Sequence, residues 1–535
     1  MKWFFITHKA TQRCLNSKQF HLHGGSNFVS GNRCFLASHS MERPKFMLIP
    51  YYPYQIRSLN SSHRYSSTSP SGSPHSFLNG TKNENYTKKV DLEIISREII
   101  KPASPTPHHL RNFNLSLLDQ IVFDCYTPVI LFIPNSNKAT VTDVMIKRLK
   151  HLKETLSRIL SQFYPFAGEV KDRLHIECND KGVNYIEAQI NETLEEFLCH
   201  PDNEKARELM PESPHVQESA IGNYAMGIQI NIFSCGGIGL SMSMAHKIMD
   251  FYTYTIFMKA WAAAVRGSPD TIISPSFVAS EVFPNDPSQE DSIPIELKSS
   301  NLLSTKRFEF DPTALALLKG QVVASGSPPQ RGPSRMEATT AVIWKAAAKA
   351  ASTVRRFDPK SPHALALPVN IRKRASPALP DNSIGNIVMR GIAICFPESQ
   401  PDLPTLMGKV RESIAKLNSD YIESLKGEKG HETVNKMLKE LKLRTNMTKV
   451  GGKFVASCIF NSGIYELDFG WGKPIWFYVV NPGSDSCVVL TDTLKGGGVE
   501  ATITLPPDEM EIFERDHELL SYTTINPSPL RFLDH

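Results

Sequence analysis

The residues best suited to chemistry in this chain of 535 residues are a histidine and an aspartate four positions apart, in His246-Lys247-Ile248-Met249-Asp250. Imidazole is the side chain whose unperturbed pKa lies nearest neutrality, so His246 can take a proton from an alcohol without extreme tuning. Gly239 to Ala245 alternates small and apolar residues and reads as a buried strand that delivers the histidine to a turn. Asp250 then falls where an N-cap carboxylate belongs, ahead of a helical pattern from Phe251 to Arg266. A satisfied core histidine beside a helix cap is the other reading, because 17 histidines make one such spacing expected by chance. The surroundings must separate the two.

A second cluster lies downstream in Asp468-Phe469-Gly470-Trp471-Gly472. Two glycines around a tryptophan suit a tight backbone corner, since glycine accepts positive φ and the indole can anchor the turn. Taken alone this is a structural turn.

The elements that must hold these residues follow from periodicity. A strand is expected from Val90 to Ile100 and another from Pro128 to Ile133, then a helix from Val141 to Phe163 that stops at Pro165. Prolines 269, 275, 284, 287 and 294 mark a connection between two halves. The second half reads as a strand over Arg307–Phe310 and helices over Pro312–Lys319 and Arg335–Arg355. Further on come a strand near Ile387–Phe396, a long helix from Leu406 to Leu443, and closing strands over Ile475–Leu490 and Val499–Leu505.

Composition sets the bounds. Length points to more than one domain, and 41% hydrophobic with 21% charged residues describes a globular protein. No apolar run approaches the roughly 18 residues of a membrane span, and a net charge of +5 gives no support to nucleic-acid binding. Nine scattered cysteines without a Cys-x-x-Cys pair fit reduced thiols better than a disulfide framework or a zinc site. The first eighty residues hold one acidic residue, Glu42, and are rich in serine, which suits a transit-like or poorly ordered extension over residues 1–88. The expected division is 1–88, a domain over 89–275 with the histidine, a connection over 276–300, and a domain over 301–535 with the glycine-tryptophan corner.

Taken together, His246-x-x-x-Asp250 and Asp468-Phe469-Gly470-Trp471-Gly472 resemble the two signatures of the plant BAHD family of acyl-CoA-dependent acyltransferases. The resemblance covers the chain from Val90 onward, and further landmarks fall in the family's order: Ser116-Leu117-Leu118-Asp119, Phe163 to Gly168, Glu337 to Lys345, and Asn370-Ile371-Arg372 leading to Gly385-Asn386. Glu93 to Pro102 looks most like the vinorine-synthase-like branch, whose members acetylate alkaloid and terpenoid alcohols.

The resemblance implies an α/β fold of two similar-sized, chloramphenicol-acetyltransferase-like domains with a substrate channel between them. It implies that His246 is the catalytic base and that acyl-CoA is the co-substrate, with no cofactor and no metal. The partners would be acyl-CoA and a small alcohol, with no nucleic acid and no membrane, acting on a cytoplasmic monomer; the alternative is a plastid or mitochondrial protein if residues 1–88 are a transit peptide. N-acylation of an amine and a silent, metabolite-binding relative are the competing readings. Coenzyme A would meet Lys306, Arg307 and Asn370, where surface charge is the other account of Lys306. Asp468, Gly470, Trp471 and Gly472 would be structural at the site. Asp250, better directed to the interior than behind the imidazole, would pair with Arg372. Phe251 and Ile459 depart from the family pattern; Ile459 has no side-chain donor, so Ser457 or a backbone N–H would serve a developing oxyanion.

Overall fold

The computed structural model describes residues 89–212, 219–268, 272–289, 302–324, 331–358, 360–396, 399–447, 451–481 and 483–532. The expected extension over residues 1–88 lies outside them. Two mixed sheets organise the rest. The first has six strands in the order Leu92–Ile100, Val183–Ile190, Met226–Phe233, Ile238–Ala245, Tyr126–Ile133, Trp476–Val479. Seven strands make the second, in the order Val388–Cys395, His363–Asn370, Lys453–Ile459, Cys487–Asp492, Val499–Leu505, Ser304–Phe310, Thr524–Ile525.

In the first sheet Met226–Phe233 and Ile238–Ala245 are buried along their whole length. Strands covered on both faces should read as near-continuous apolar or small residues, and this stretch does so except at buried Gln229 and Asn231, where Gln229 Nε2 donates to Asn231 Oδ1 at 2.8 Å. The Leu149–Leu160 helix offers Leu149, Leu152, Leu156 and Leu160 as one buried face. The Phe251–Arg266 helix begins at the Asp250 N-cap and ends at Gly267 in the left-handed region. In the second half Ser334 and Glu337 form a capping box at the start of the Arg335–Arg355 helix.

The halves are not separated as expected. Trp476–Val479 comes from the second half yet closes the edge of the first sheet, pairing antiparallel with Tyr126–Ile133. Trp476 stacks on Phe132 at 5.2 Å between ring centroids, a contact worth about 0.5–1.5 kcal/mol beyond its area burial. So residues 301–535 do not form a self-contained domain, and the expected strand over Ile475–Leu490 is two strands in two sheets. The supposed connection is also ordered where described: Ala279–Val282 is helical, Phe283 is fully buried, and Ser276 bridges to Ser383. Leu117, Leu118, Ile121 and Phe283 share one apolar cluster with Ile371, Ile387 and Leu425 of the second half. Residues 290–300 lie outside the described residues.

The single helix expected over Leu406–Leu443 is three, Leu403–Ala415, Ser419–Glu423 and Lys429–Met447. Asn418 starts a new helix by accepting from the Tyr421 N–H at 2.9 Å, and Gly427 turns the chain with φ +61°. Two strands carry too little alternation to be seen in sequence, His363–Asn370 and Lys453–Ile459, and both wall the site. Among the described residues no helix is long and apolar enough to cross a membrane, and all seven cysteines there are free thiols.

Candidate active site

His246 follows the last residue of the Ile238–Ala245 strand and is held through its own backbone. Its N–H donates to the Cys125 carbonyl at 2.8 Å, and its carbonyl accepts from Asn386 Nδ2 at 2.7 Å. Asn386 is fixed in turn by Asp119, which accepts from the Asn386 N–H at 2.6 Å and from Nδ2 at 2.9 Å. The other Asp119 oxygen takes the N–H and hydroxyl of Ser116, at 2.8 and 2.6 Å. Burial raises the Asp119 pKa against the pull of these bonds. The next residue, Lys247, is buried and donates to the carbonyls of Gln120, at 2.9 Å, and Val122. Burial pushes its ammonium down to about 8. The turn carrying the imidazole is thereby pinned from both halves of the chain.

Asp250 completes that frame. One carboxylate oxygen accepts from Arg372 Nη1 at 2.7 Å and the Ile387 N–H at 3.1 Å, the other from the Thr253 N–H at 2.8 Å and Arg372 Nη2 at 3.1 Å. Arg372 also donates to the carbonyls of Ser383 and Gly385 and lies over the Tyr252 ring. The expected pair is present, and none of the Asp250 bonds goes to the His246 ring; there is no triad. Gly385, beside this cluster, has φ +120°, and a Cβ there would sit 3.5 Å from both Asp119 carboxylate oxygens. Only glycine lets the chain pass between the two carboxylates without strain.

His246 lines a cavity of about 410 Å3, a size suited to a small-molecule site. Its walls come from both halves, with Phe123, Thr127 and Phe251 from the first and Asn370, Arg390 and Ser457 from the second. The ring Nδ1 is buried without a hydrogen-bond partner among the described residues, leaving Nε2 as the nitrogen able to meet a ligand. Burial lowers the His246 pKa and Arg390 adds to this, while its own backbone carbonyl, Asp250 and Asn386 oppose it. The imidazole is therefore neutral at neutral pH, the form a base requires.

The structure separates the other expected site residues. Asn370 lines the cavity, but Lys306 and Arg307 do not. Lys306 pairs with Glu514. Arg307 is buried, donating to Glu500 at 3.4 Å and the Pro527 carbonyl at 2.6 Å, with Trp476 4.8 Å from its guanidinium. Adjacent strand residues face opposite ways, so two neighbouring cations could not share one ligand. Both are engaged by the protein's own carboxylates and stand apart from this cavity.

None of Asp468, Gly470, Trp471 and Gly472 touches the cavity. Asp468 accepts from the Gly470 N–H at 2.8 Å, and Gly470 has φ +86°. Phe469 packs edge-on to Trp261, and Trp471 lies beside the Arg148 guanidinium. A Cβ on Gly472 would meet the Pro134 carbonyl at 3.0 Å. This corner steers the chain into Trp476–Val479, whose Phe477 packs on Phe251 and whose Val479 lines the cavity. Its influence on the site is exerted through that strand. Phe251 thus both fills the core and narrows the cavity.

Asp119, Asn386 and Arg390 carry parts of the site to which the sequence assigned no role. Arg390 had a visible signal, a lone cation inside the apolar run Val388 to Cys395. Among the described residues no three His, Cys, Asp or Glu side chains are grouped as a metal site.

Comparison with known proteins agrees with this geometry. The Transferase family profile matches residues 90–520. A limonoid 7-O-acetyltransferase of Citrus sinensis is 34% identical over 466 residues, which span 82% of this chain and 100% of that protein. A 17,18-epoxy-17-hydroxycur-19-ene N-malonyltransferase of Strychnos nux-vomica is 34% identical over 448 residues, 83% of this chain and 93% of that protein. Crystalline vinorine synthase superposes with a TM-score of 0.70 at 29% identity, covering 81% of this chain and 98% of that one, and shares the chloramphenicol-acetyltransferase-like arrangement of two sheets. With a histidine at the cavity wall, the Asp250–Arg372 pair behind it and the glycine-tryptophan corner in place, the chain belongs to this Transferase family, the BAHD acyl-CoA-dependent acyltransferases.

Proposed function

We propose that the protein moves an acyl group, acetyl in the simplest case, from acyl-CoA to a hydroxyl of a specialised metabolite of the alkaloid or terpenoid kind. The observation that carries this reading is a half-buried His246, its pKa lowered by desolvation, on the wall of a cavity bounded by both halves of the chain. His246 Nε2 takes the hydroxyl proton as the acceptor oxygen attacks the thioester carbonyl. The C–S bond then breaks, the new C–O ester bond remains, and the imidazolium returns the proton to the departing thiolate. Such acid and base work is worth roughly 10²–10⁴ in rate, and alignment of the two substrates supplies much of the rest. Ser457, a cavity-lining hydroxyl two residues before Ile459, is the side chain offered to the developing oxyanion. Asn370 is the one expected coenzyme A contact that reaches the cavity.

In this scheme acyl-CoA is a co-substrate and no further cofactor or metal takes part. The working form is a monomer in the cytoplasm, with residues 1–88 outside the catalytic unit, as the family match beginning at residue 90 supports. Similarity to an N-malonyltransferase keeps amine acylation as the second reading, since the same base serves an amine. Incubating the purified protein with acetyl-CoA and a panel of alkaloid, terpenoid and phenolic alcohols and amines, and following free thiol and product mass, tests both. Ester product supports the first reading and amide product the second; thiol release no faster than in the acceptor-free control across the panel contradicts both.

A further inference from the structure

Arg390 is the only lysine or arginine among the described residues that line the cavity. It stands on the Val388–Cys395 strand, opposite Pro368 of the neighbouring strand, which also lines the cavity. The other buried or half-buried arginines nearby are provided for. Arg372 has the Asp250 carboxylate and two carbonyls, and Arg374 donates to the carbonyls of Ile414 and Leu417. Arg390 has no hydrogen bond and no ion pair among the described residues; its one contact of note is the Phe123 ring, 5.8 Å from the guanidinium carbon. The only carboxylate among the described residues that line the cavity, Asp250, is occupied by Arg372. Five N–H donors in a planar fork are left without a protein partner among the described residues, on the wall of that cavity.

The side chain is half-buried, and a ligand that takes it out of water must supply a partner for its charge. Burial brings its pKa down to about 10, which still leaves it charged at neutral pH. The same Phe123 ring packs edge-on against His246, with centroids 5.1 Å apart, so the guanidinium and the imidazole flank one phenyl ring. An anion at Arg390 therefore sits close to the reacting centre. The several phosphates of coenzyme A suit a solvent-facing mouth instead, and the match for a planar fork inside an apolar cavity is a single carboxylate held by two parallel hydrogen bonds.

We propose that Arg390 forms a carboxylate-binding subsite beside His246, which selects a carboxylate carried either by the acyl group of the thioester or by the acceptor. This deepens the acyl-transfer reading and rests on it only for the thioester arm. In a carboxyacyl thioester such as malonyl-CoA the distal carboxylate would dock on Arg390 while the thioester carbonyl faces His246. In the other case an acid function of the acceptor would dock there and aim its hydroxyl at Nε2.

Two matched pairs of probes separate the sources. Malonyl-CoA is compared with isovaleryl-CoA, its neutral counterpart in shape, and a hydroxylated triterpenoid acid is compared with its methyl ester. Dissociation constants are measured by calorimetry for the full-length protein, Arg390→Met and Arg390→Lys, with folding checked by the thermal midpoint. In one pair the wild type should prefer the carboxylate by about tenfold or more. Arg390→Met should bring the two members of that pair together, and Arg390→Lys, which keeps the charge without the fork, should retain part of the preference. If Arg390→Met does not fold, the partial loss in Arg390→Lys carries the result. Equal binding within both pairs by the wild type, or a preference that survives both substitutions, overturns the subsite. Failure of every CoA thioester to bind, with an Arg390-dependent preference in the acid and ester pair, would instead contradict the acyl-CoA reading and leave the subsite standing.

Discussion

Arg372 donates to both carboxylate oxygens of Asp250, at 2.7 and 3.1 Å, across 122 residues of sequence and with both side chains almost wholly buried. The bond ties the turn that carries His246 to the loop after Asn370. Removing one partner strands the other charge, so Asp250→Ala and Arg372→Ala should each cost on the order of 3–5 kcal/mol. Urea denaturation checks this; a midpoint equal to the wild type's in either variant would show that the pair is not architectural.

Asn386 should behave differently. Asn386→Ala removes the 2.7 Å bond to the His246 carbonyl and one support of the buried Asp119. The imidazole is then less well placed, and a misplacement near 1 Å can cost about a hundredfold in rate. We expect kcat to fall between about tenfold and a hundredfold with a smaller change in KM. A fall in KM-related binding alone, with kcat preserved, would contradict the positioning role.

The pH profile follows from the lowered pKa of His246. A base acts in its neutral form, so kcat/KM should rise with pH through a midpoint below the usual imidazole value of about 6.5 and stay level above it. Arg390 contributes to that lowering and Asp250 opposes it. Arg390→Met should therefore move the midpoint upward; an unmoved or lowered midpoint counts against an electrostatic link between the two.

How much of this was legible in the sequence depends on where each partner lies. His246 and Asp250 are contiguous, and a strand running into a capped helix shows in the spacing alone. Arg372 was reached because the family landmarks placed it. Asp119 and Asn386 stood among those landmarks without a role, because their bonds join positions 267 residues apart. For Lys306 and Arg307, a run of two cations does not tell which face of a strand each one occupies, and buried Glu500 could not be foreseen as a partner. The helix expected over Leu406–Leu443 failed on local chemistry that the sequence did contain, the Asn418 cap and Gly427.

The glycine-tryptophan corner gives a prediction about stability. A side chain at Gly470 must adopt φ +86° with only ordinary contact to Arg266 at 3.7 Å, so Gly470→Ala should cost about 1–2 kcal/mol. Gly472→Ala should cost more, because its Cβ meets the Pro134 carbonyl at 3.0 Å. Thermal unfolding of the two variants tests the order; a more stable Gly472→Ala would contradict the close approach.

The central claim is that His246 is the base. The most direct measurement is the turnover of His246→Ala with acetyl-CoA and an acceptor found in the panel, alongside the thermal midpoint of the same preparation. The account predicts a loss of at least about a hundredfold in kcat with the midpoint close to that of the wild type. A folded His246→Ala protein that turns over at the wild-type rate would contradict it.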